Sequence, residues 1–287
     1  MIDFISRFPE ELYQTTIENR NNYITKVING YTRAKSSRVF IGGICRDVEP
    51  VLPYTINRIN KLANLFKDFS VHIFENDSTD NTKELLKYWG SSDKINVYCS
   101  NQNKPKHEQN VSTERMIDMA GYRNQYLNIL KDCMRTGDHY DYSIFLDMDL
   151  EGGFSYDGIM NTIGTNYWSA VGSNGLCYQD GGRLFYDTWA YRELDNDKVE
   201  NVAERNLLLF NRGEKMEYVF SCFGGLAIYK PYIFQGHMEY KGDDCDHPSL
   251  HKQIREDGNP IHINPSQITV YSPSQYVLNK EITDALY

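Results

Sequence analysis

The stretch IFLDMDLEGG, residues 144–153, ends an apolar run on two carboxylates, Asp147 and Asp149. Alternate side chains of an extended strand share a face, so the two acids point together while Met148 points back into the protein. Anions held side by side repel unless a cation joins them, and hard divalent ions such as Mn²⁺ or Mg²⁺ take carboxylate oxygens. The pair therefore reads as a metal site at a strand end. An exposed strand end with no metal dependence is the plainer alternative.

Three further stretches carry chemistry. In ENDSTDNT, Glu75 to Thr82, turn formers and capping residues follow an apolar strand, and Ser78 or Asp80 is expected to cap a helix running to Gly90. Asp77 would then project at the sheet edge and accept hydrogen bonds from the base or ribose of a nucleotide; the plainer reading is a well-capped β-to-α turn. In FSCFGGLAIYK, Gly224 and Gly225 precede an apolar run, where the missing Cβ lets the backbone approach a ligand, or else marks a bulge or tight bend. In KGDDCDHPSLHKQIREDGNPIHINP, Pro248 suits the first turn of a helix and Gly258 its end. Asp246 and His247 then lie at the helix N-terminus, where the macrodipole favours anions. His247 and His251 share a helix face, but the HExxH zinc-protease pattern would need glutamate where Pro248 stands. His262 reads as an ordinary strand histidine before it reads as a metal ligand.

These residues need a scaffold, and the first half of the chain supplies its pattern. Apolar runs at RVFIGGICRD, VHIFEND, INVYCS and YSIFLDMD alternate with helical stretches at PYTINRINKLANLF and at about residues 116–133. That alternation predicts an open, mostly parallel sheet whose ligands bind beyond the carboxyl ends of the strands. Three of the strands end there in polar residues: Arg46 and Asp47, Glu75 to Asp77, and Asp147 to Asp149. AVGSNG, MEYVFSCFGGLAIYK and PIHINPSQITVYS read as shorter strands between long loops. The expected organisation is an N-terminal helical extension over 1–36, one α/β domain over 37–264 and a tail over 265–287.

Lys and Arg number 30 against 39 Asp and Glu, a net charge of −9, which argues against a broad nucleic-acid-binding surface. The 6 cysteines are scattered singly, without the spacing of a zinc knuckle or disulfide framework. No stretch approaches the roughly 18 apolar residues of a membrane span, so no transmembrane segment and a cytoplasmic protein are expected.

The ordered pieces ENDSTDNT and DMD, about 70 residues apart with the helix RMIDMAGYRNQYL between them, resemble glycosyltransferases of the GT-A fold. Ala120, Arg123 and Asn124 match the run that faces the donor in that fold. The segment LFYDTWAYRELD, residues 184–195, is similar to the YDT-F/W-A-x-RD segment of the fungal capsule-associated α-1,3-mannosyltransferase family, departing from it at Glu193, where Asp is usual. The resemblance covers roughly residues 38–265 and implies a GT-A-like (Rossmann-like) α/β fold, with a central mixed sheet flanked by helices.

It also implies a nucleoside diphosphate sugar donor, a glycan or other hydroxyl acceptor, Mn²⁺ or Mg²⁺, and retention of configuration. By that likeness Asp149 is the principal metal ligand, and Asp147 binds through the ribose or a metal-bound water. Arg46 or Arg123 adds positive charge near the phosphates, and Gly224 and Gly225 lie against donor and acceptor. Asp246 is the acid/base or acceptor-positioning residue, with Asp243 and Asp244 beside it and His247 the next choice; a late histidine of the fold can also complete the metal shell. Two other classes stay open: a sugar nucleotidyltransferase, which should carry a basic Gly-rich loop after its first strand, and a non-catalytic nucleotide-sugar or carbohydrate-binding protein.

Overall fold

The structure is a computed structural model, and it describes residues 8–107, 112–179, 182–196, 198 and 202–272. Helix α1 spans Ile17–Ala34 and leads into strand β1, Arg38–Cys45. Then follow α2 (Leu52–Ala63), β2 (Asp68–Asn76), α3 (Thr82–Trp89), β3 (Ile95–Ser100), α4 (Thr113–Arg135) and β4 (Tyr142–Asp147). The second half holds β5 (Gly153–Phe154), α5 (Tyr156–Gly164), β6 (Ala170–Gln179) and β7 (Gly182–Phe185), then β8 (Glu217–Val219), β9 (Leu226–Tyr229), α6 (Asp246–Glu256) and β10 (Ile261–Ser272).

The strands form one mixed sheet in the order β3-β2-β1-β4-β9-β6-β10-β5, with β7 on β6 and β8 on β10. Pairings among β1, β2, β3 and β4 are parallel, and β10 is parallel to β6. The short β9 runs antiparallel between β4 and β6, which leaves β6 pointing the same way as β4. The carboxyl ends of β1, β2, β4, β6 and β10 therefore open on one edge, and helix packing on both faces closes the rest.

Strand periodicity explains the two cores. Val39 and Ile41 of β1, with Ile144 and Leu146 of β4, pack against Leu52, Ile59 and Leu62 of α2. The alternate residues Phe40 and Phe145 go to the opposite face, against Tyr126, Leu127 and Leu130 of α4 and Leu250 and Ile254 of α6. Strands buried on both faces must be apolar at every position, which is why they read as continuous runs in the sequence.

α1 packs along α5. A Cβ on Gly30 would stand 1.8 Å from the Met160 carbonyl oxygen, and one on Gly164 would stand 1.8 Å from that of Lys26. Neither atom can yield without separating the helices. Gly164→Ala is expected to cost about 1–3 kcal/mol through overpacking while leaving catalysis alone. A thermal melt unchanged from wild type would show that the helices part freely.

Several local expectations change. Asp149 lies in the turn after β4 rather than on the strand, because the ladder ends at Asp147. Asn81, not Ser78 or Asp80, is the N-cap of α3; the Ser78 hydroxyl instead accepts from the Asp47 backbone N–H at 2.9 Å. Asp80 still accepts from the Thr82 N–H at 3.0 Å. The 264/265 division falls inside β10, whose buried residues continue to Val270. Residues 273–287 lie outside the described residues, and no helix of the described residues is long and apolar enough to cross a membrane.

Candidate active site

A cavity of about 640 Å³ opens where the carboxyl ends of β1, β2, β4, β6 and β10 converge. Ile44, Cys45, Arg46 and Asn76 line it from the β1–β2 side, with Lys106, His107 and Tyr122 above them. Cys177, Gln179, Tyr186, Trp189 and Tyr271 line it from the β6–β7–β10 side. Asp147, Asp149, Asp187 and Asp246 also line it, with Arg123 among them. Strand order places β4, and so Asp147, between the two walls.

Arg123 on α4 bridges two of these acids. Its Nη2 donates to Asp147 at 2.9 Å and its Nε to Asp246. Burial opposes ionisation of Asp246, but the adjacent guanidinium outweighs it and holds the carboxyl well below the usual carboxylate range. Burial pushes Asp147 up, against the pull of Arg123. A carboxylate with so little affinity for a proton is a poor general base, so the acid/base role expected of Asp246 does not suit its surroundings. Asp246 is a fixed anion.

The other two acids have the opposite character. Burial, and next the charge of Asp147, push Asp149 up to about 7. Burial, followed by Asp147 and Asp246, does the same to Asp187. Four carboxylates thus line the cavity, two of them bridged by Arg123, and the two without an ion pair among the described residues, Asp149 and Asp187, favour the arrival of a cation.

His247 sits at the start of α6 with 2% of its surface exposed, its ring stacked on Phe223 at 3.6 Å. Neither ring nitrogen has a hydrogen-bond partner among the described residues. Burial, followed by the charge of Arg123, pushes its pKa well down, so the ring is neutral and has a lone pair to offer. Among the described residues no three His, Cys, Asp or Glu side chains group as a metal cage.

The remaining expected residues are placed differently. Asp77, with a left-handed φ of 57°, accepts from the backbone N–H groups of Gln102, Asn103 and Lys104 at 2.7, 2.9 and 3.3 Å. Its carboxylate straps the loop after β3 rather than facing the cavity; desolvation opposes its ionisation, and the Asn76 side-chain bond together with these backbone bonds outweighs it and lowers the carboxyl to about 2. Arg46 lines the cavity while donating to the carbonyls of Lys104 and Pro105 at 3.1 and 3.0 Å. Asn124 pins Tyr240 by two backbone hydrogen bonds, at 2.9 and 2.8 Å.

Gly224 and Gly225, at φ 62° and 78°, form the tight bend before β9. The close approach they permit is to protein: a Cβ on Gly224 would lie 2.3 Å from the Ser173 carbonyl oxygen. Neither lines the cavity. Asp244 accepts from Arg192 at 3.4 Å and from the Cys245 N–H at 2.6 Å, while Asp243 is exposed. His262 packs on Tyr218 at 4.4 Å, away from the cavity, as an ordinary strand histidine does.

Asp187 was the residue that sequence reasoning passed over. It lies in the segment LFYDTWAYRELD, which was singled out only as a resemblance. Nothing local marked its acid as one that returns to Asp147, because that meeting depends on Gly224 and Gly225: the Gly224 N–H donates to Asp187 at 3.0 Å, and the Asp147 N–H donates to the Gly225 carbonyl at 2.9 Å.

Residues 38–258 match the family model described as Cryptococcal mannosyltransferase 1. The chain belongs to this family. It is a glycosyltransferase, and the GT-A-like architecture expected from the sequence stands. S. aureus TarS 1–349 in complex with UDP-GlcNAc is 10% identical, with a TM-score of 0.50, over 83% of this chain and 59% of that one, a likeness of fold. The mannosyltransferase PcManGT from Pyrobaculum calidifontis, in complex with GDP-Man and Mn²⁺, is 14% identical, with a TM-score of 0.49, over 96% of this chain and 75% of that one. No curated protein sequence matches the chain.

Proposed function

We propose that this family member transfers a sugar from a nucleoside diphosphate sugar to a hydroxyl of a glycan acceptor, with a divalent ion, Mn²⁺ or Mg²⁺, at the floor of the cavity. The observation that supports this most is the set of carboxylates lining the cavity, Asp147, Asp149, Asp187 and Asp246, of which only Asp147 and Asp246 are ion-paired among the described residues, both to Arg123. Carboxylates without a protein counter-ion favour a diphosphate that arrives with a cation. Asp149, like Asp187, has no ion pair among the described residues, and His247 offers a neutral ring nitrogen. A cage of protein ligands is not required, since an ion of this type takes one or two carboxylates and completes its shell with phosphate oxygens and water.

When bound, an ion held by these carboxylates would supply the positive charge that neutralises a diphosphate leaving group. The chain's own groups do the remaining work. Arg46, Lys106 and Arg115 put positive charge on the rim, where a diphosphate passes, and Arg123 keeps Asp147 and Asp246 in register. Tyr186, Tyr271 and Trp189 offer rings on the β6–β7–β10 side, suited to the apolar face of a pyranose. Residues of the N-terminal helix and of β10 are read as parts of the same catalytic domain.

Thermal melts with UDP, GDP, CMP and ATP, each with and without Mn²⁺, test the proposal. One nucleoside diphosphate is expected to raise Tm only with the ion present, by mass action. If no nucleotide raises Tm under either condition, the donor assignment falls.

A further inference from the structure

We propose that Asp187 is a catalytic residue whose carboxylate accepts the hydrogen bond of the acceptor hydroxyl during transfer: the hydroxyl oxygen bonds to the anomeric carbon of the donor sugar, the bond from that carbon to the diphosphate breaks, the nucleoside diphosphate leaves with the electron pair, and the hydroxyl proton passes to the carboxylate. The assignment rests on the transferase reading above and adds to it the group that receives the acceptor.

Its geometry carries the argument. Asp187 follows β7, so it reaches the floor from the β6–β7–β10 wall, across β4 from the wall built by β1 and β2. Its φ is 69°, a left-handed conformation that Asp tolerates better than most side chains but at some cost. The strain is held in place on both sides. The Tyr186 N–H donates to the Gly175 carbonyl at 2.9 Å, and the N–H groups of Ala190 and Tyr191 both donate to the Asp187 carbonyl at 3.1 Å. A backbone this tightly tied aims the side chain in one direction.

What the carboxylate meets there differs from what Asp147, Asp246 and Asp244 meet. Asp147 and Asp246 are both paired with Arg123, and Asp244 is tied to Arg192. Asp187 has no ion pair among the described residues, and its side chain receives one hydrogen bond, from the Gly224 N–H at 3.0 Å. One oxygen is thereby anchored and the other retains its accepting capacity in a carboxylate that lines the cavity. A hydroxyl arriving between the two walls finds an oriented acceptor beside the cavity floor. Such positioning is a recognised source of rate through fixed geometry.

The test compares wild type with Asp187→Asn. Asparagine also tolerates the left-handed backbone, and its amide oxygen can keep the Gly224 contact; the amide NH₂ then stands where an accepting oxygen stood. Consumption of sugar nucleotide is measured with a panel of methyl pyranosides as acceptors and with water alone, alongside the Mn²⁺-dependent Tm rise with the matching nucleoside diphosphate. Turnover is expected to fall about 100-fold or more, while the nucleotide-dependent Tm rise stays at the wild-type value. Asp187→Gly, which removes the strain and the carboxylate together, should lose turnover equally and serves if the Asn variant folds poorly. Turnover within threefold of wild type in either folded variant overturns the assignment. A lost nucleotide-dependent Tm rise also overturns it, by making Asp187 a holder of the ion or donor. A wild type that binds nucleotide and turns over no sugar nucleotide removes a catalytic Asp187 but spares the donor site. If wild type neither binds nor turns over any nucleotide sugar, the transferase reading itself has failed.

Discussion

Arg123→Met is expected to destabilise the protein by about 3–5 kcal/mol and to abolish turnover. The guanidinium is 5% exposed and touches Asp147 and Asp246, whose side chains are 19% and 8% exposed. Methionine fills much of the space but leaves the buried Asp246 and the partly buried Asp147 with no cation between them. Removing one partner of a buried pair costs far more than the pair contributes, because the partner left behind has neither water nor counter-charge. Arg123 also lies over the Phe223 ring at 4.9 Å, and Phe223 carries His247 on its own stack, so the loss reaches the start of α6. At about 2–4 °C per kcal/mol the melt should shift down by roughly 10 °C. The double variant Arg123→Met with Asp246→Asn should recover a large part of that loss, since it removes the stranded charge. Equal melting of the single variant and wild type would show that the bridge carries no weight.

Asp149→Ala is expected to cut turnover at least about 100-fold, the scale seen when one preorganised charge-stabilising group is lost, and to leave the metal-free fold intact or firmer. Burial and the neighbouring Asp147 raise the Asp149 carboxyl to about 7 from the usual carboxylate range. An acid whose pKa is higher in the folded state than in the unfolded state favours folding at low pH. That contribution is fully present below the unfolded value near 4 and is lost as pH rises through about 7. Metal-free wild type should therefore carry a component of stability that declines over this interval, and Asp149→Ala should flatten it. Mn²⁺ should flatten the wild-type slope as well and leave the variant unmoved. Full turnover in the alanine variant, or an Mn²⁺ response identical to wild type, would remove Asp149 from the ion's site.

The same contrast between local pattern and distant partner governs how much could be read in advance. β1, β2, β3 and β4 were legible because buried parallel strands demand apolar residues on both faces and end in polar ones at the binding edge. Asp147 and Asp149 were legible for the same reason. The end of α6 at Gly258, φ 80°, followed from local backbone chemistry that only a few residue types satisfy.

What each polar group does was decided elsewhere in the chain. Asp77 became a loop strap because the backbone of residues 102–104 arrives on it, and Asp246 became a fixed anion because Arg123, 123 residues away, donates to it. Gly224 and Gly225 admit the Ser173 carbonyl and the Leu150 side chain, partners that no pattern around FGG announces. Asp187 acquired its character from burial first, then from Asp147, Asp246 and Gly224. Sequence by itself determined the α/β sheet, its binding edge and the acids at the end of β4, because hydrophobic period and turn chemistry act over a few residues. Only the tertiary structure decided which acids are neutralised and which remain available, because a carboxylate's charge state depends on desolvation and on partners brought to it by folding.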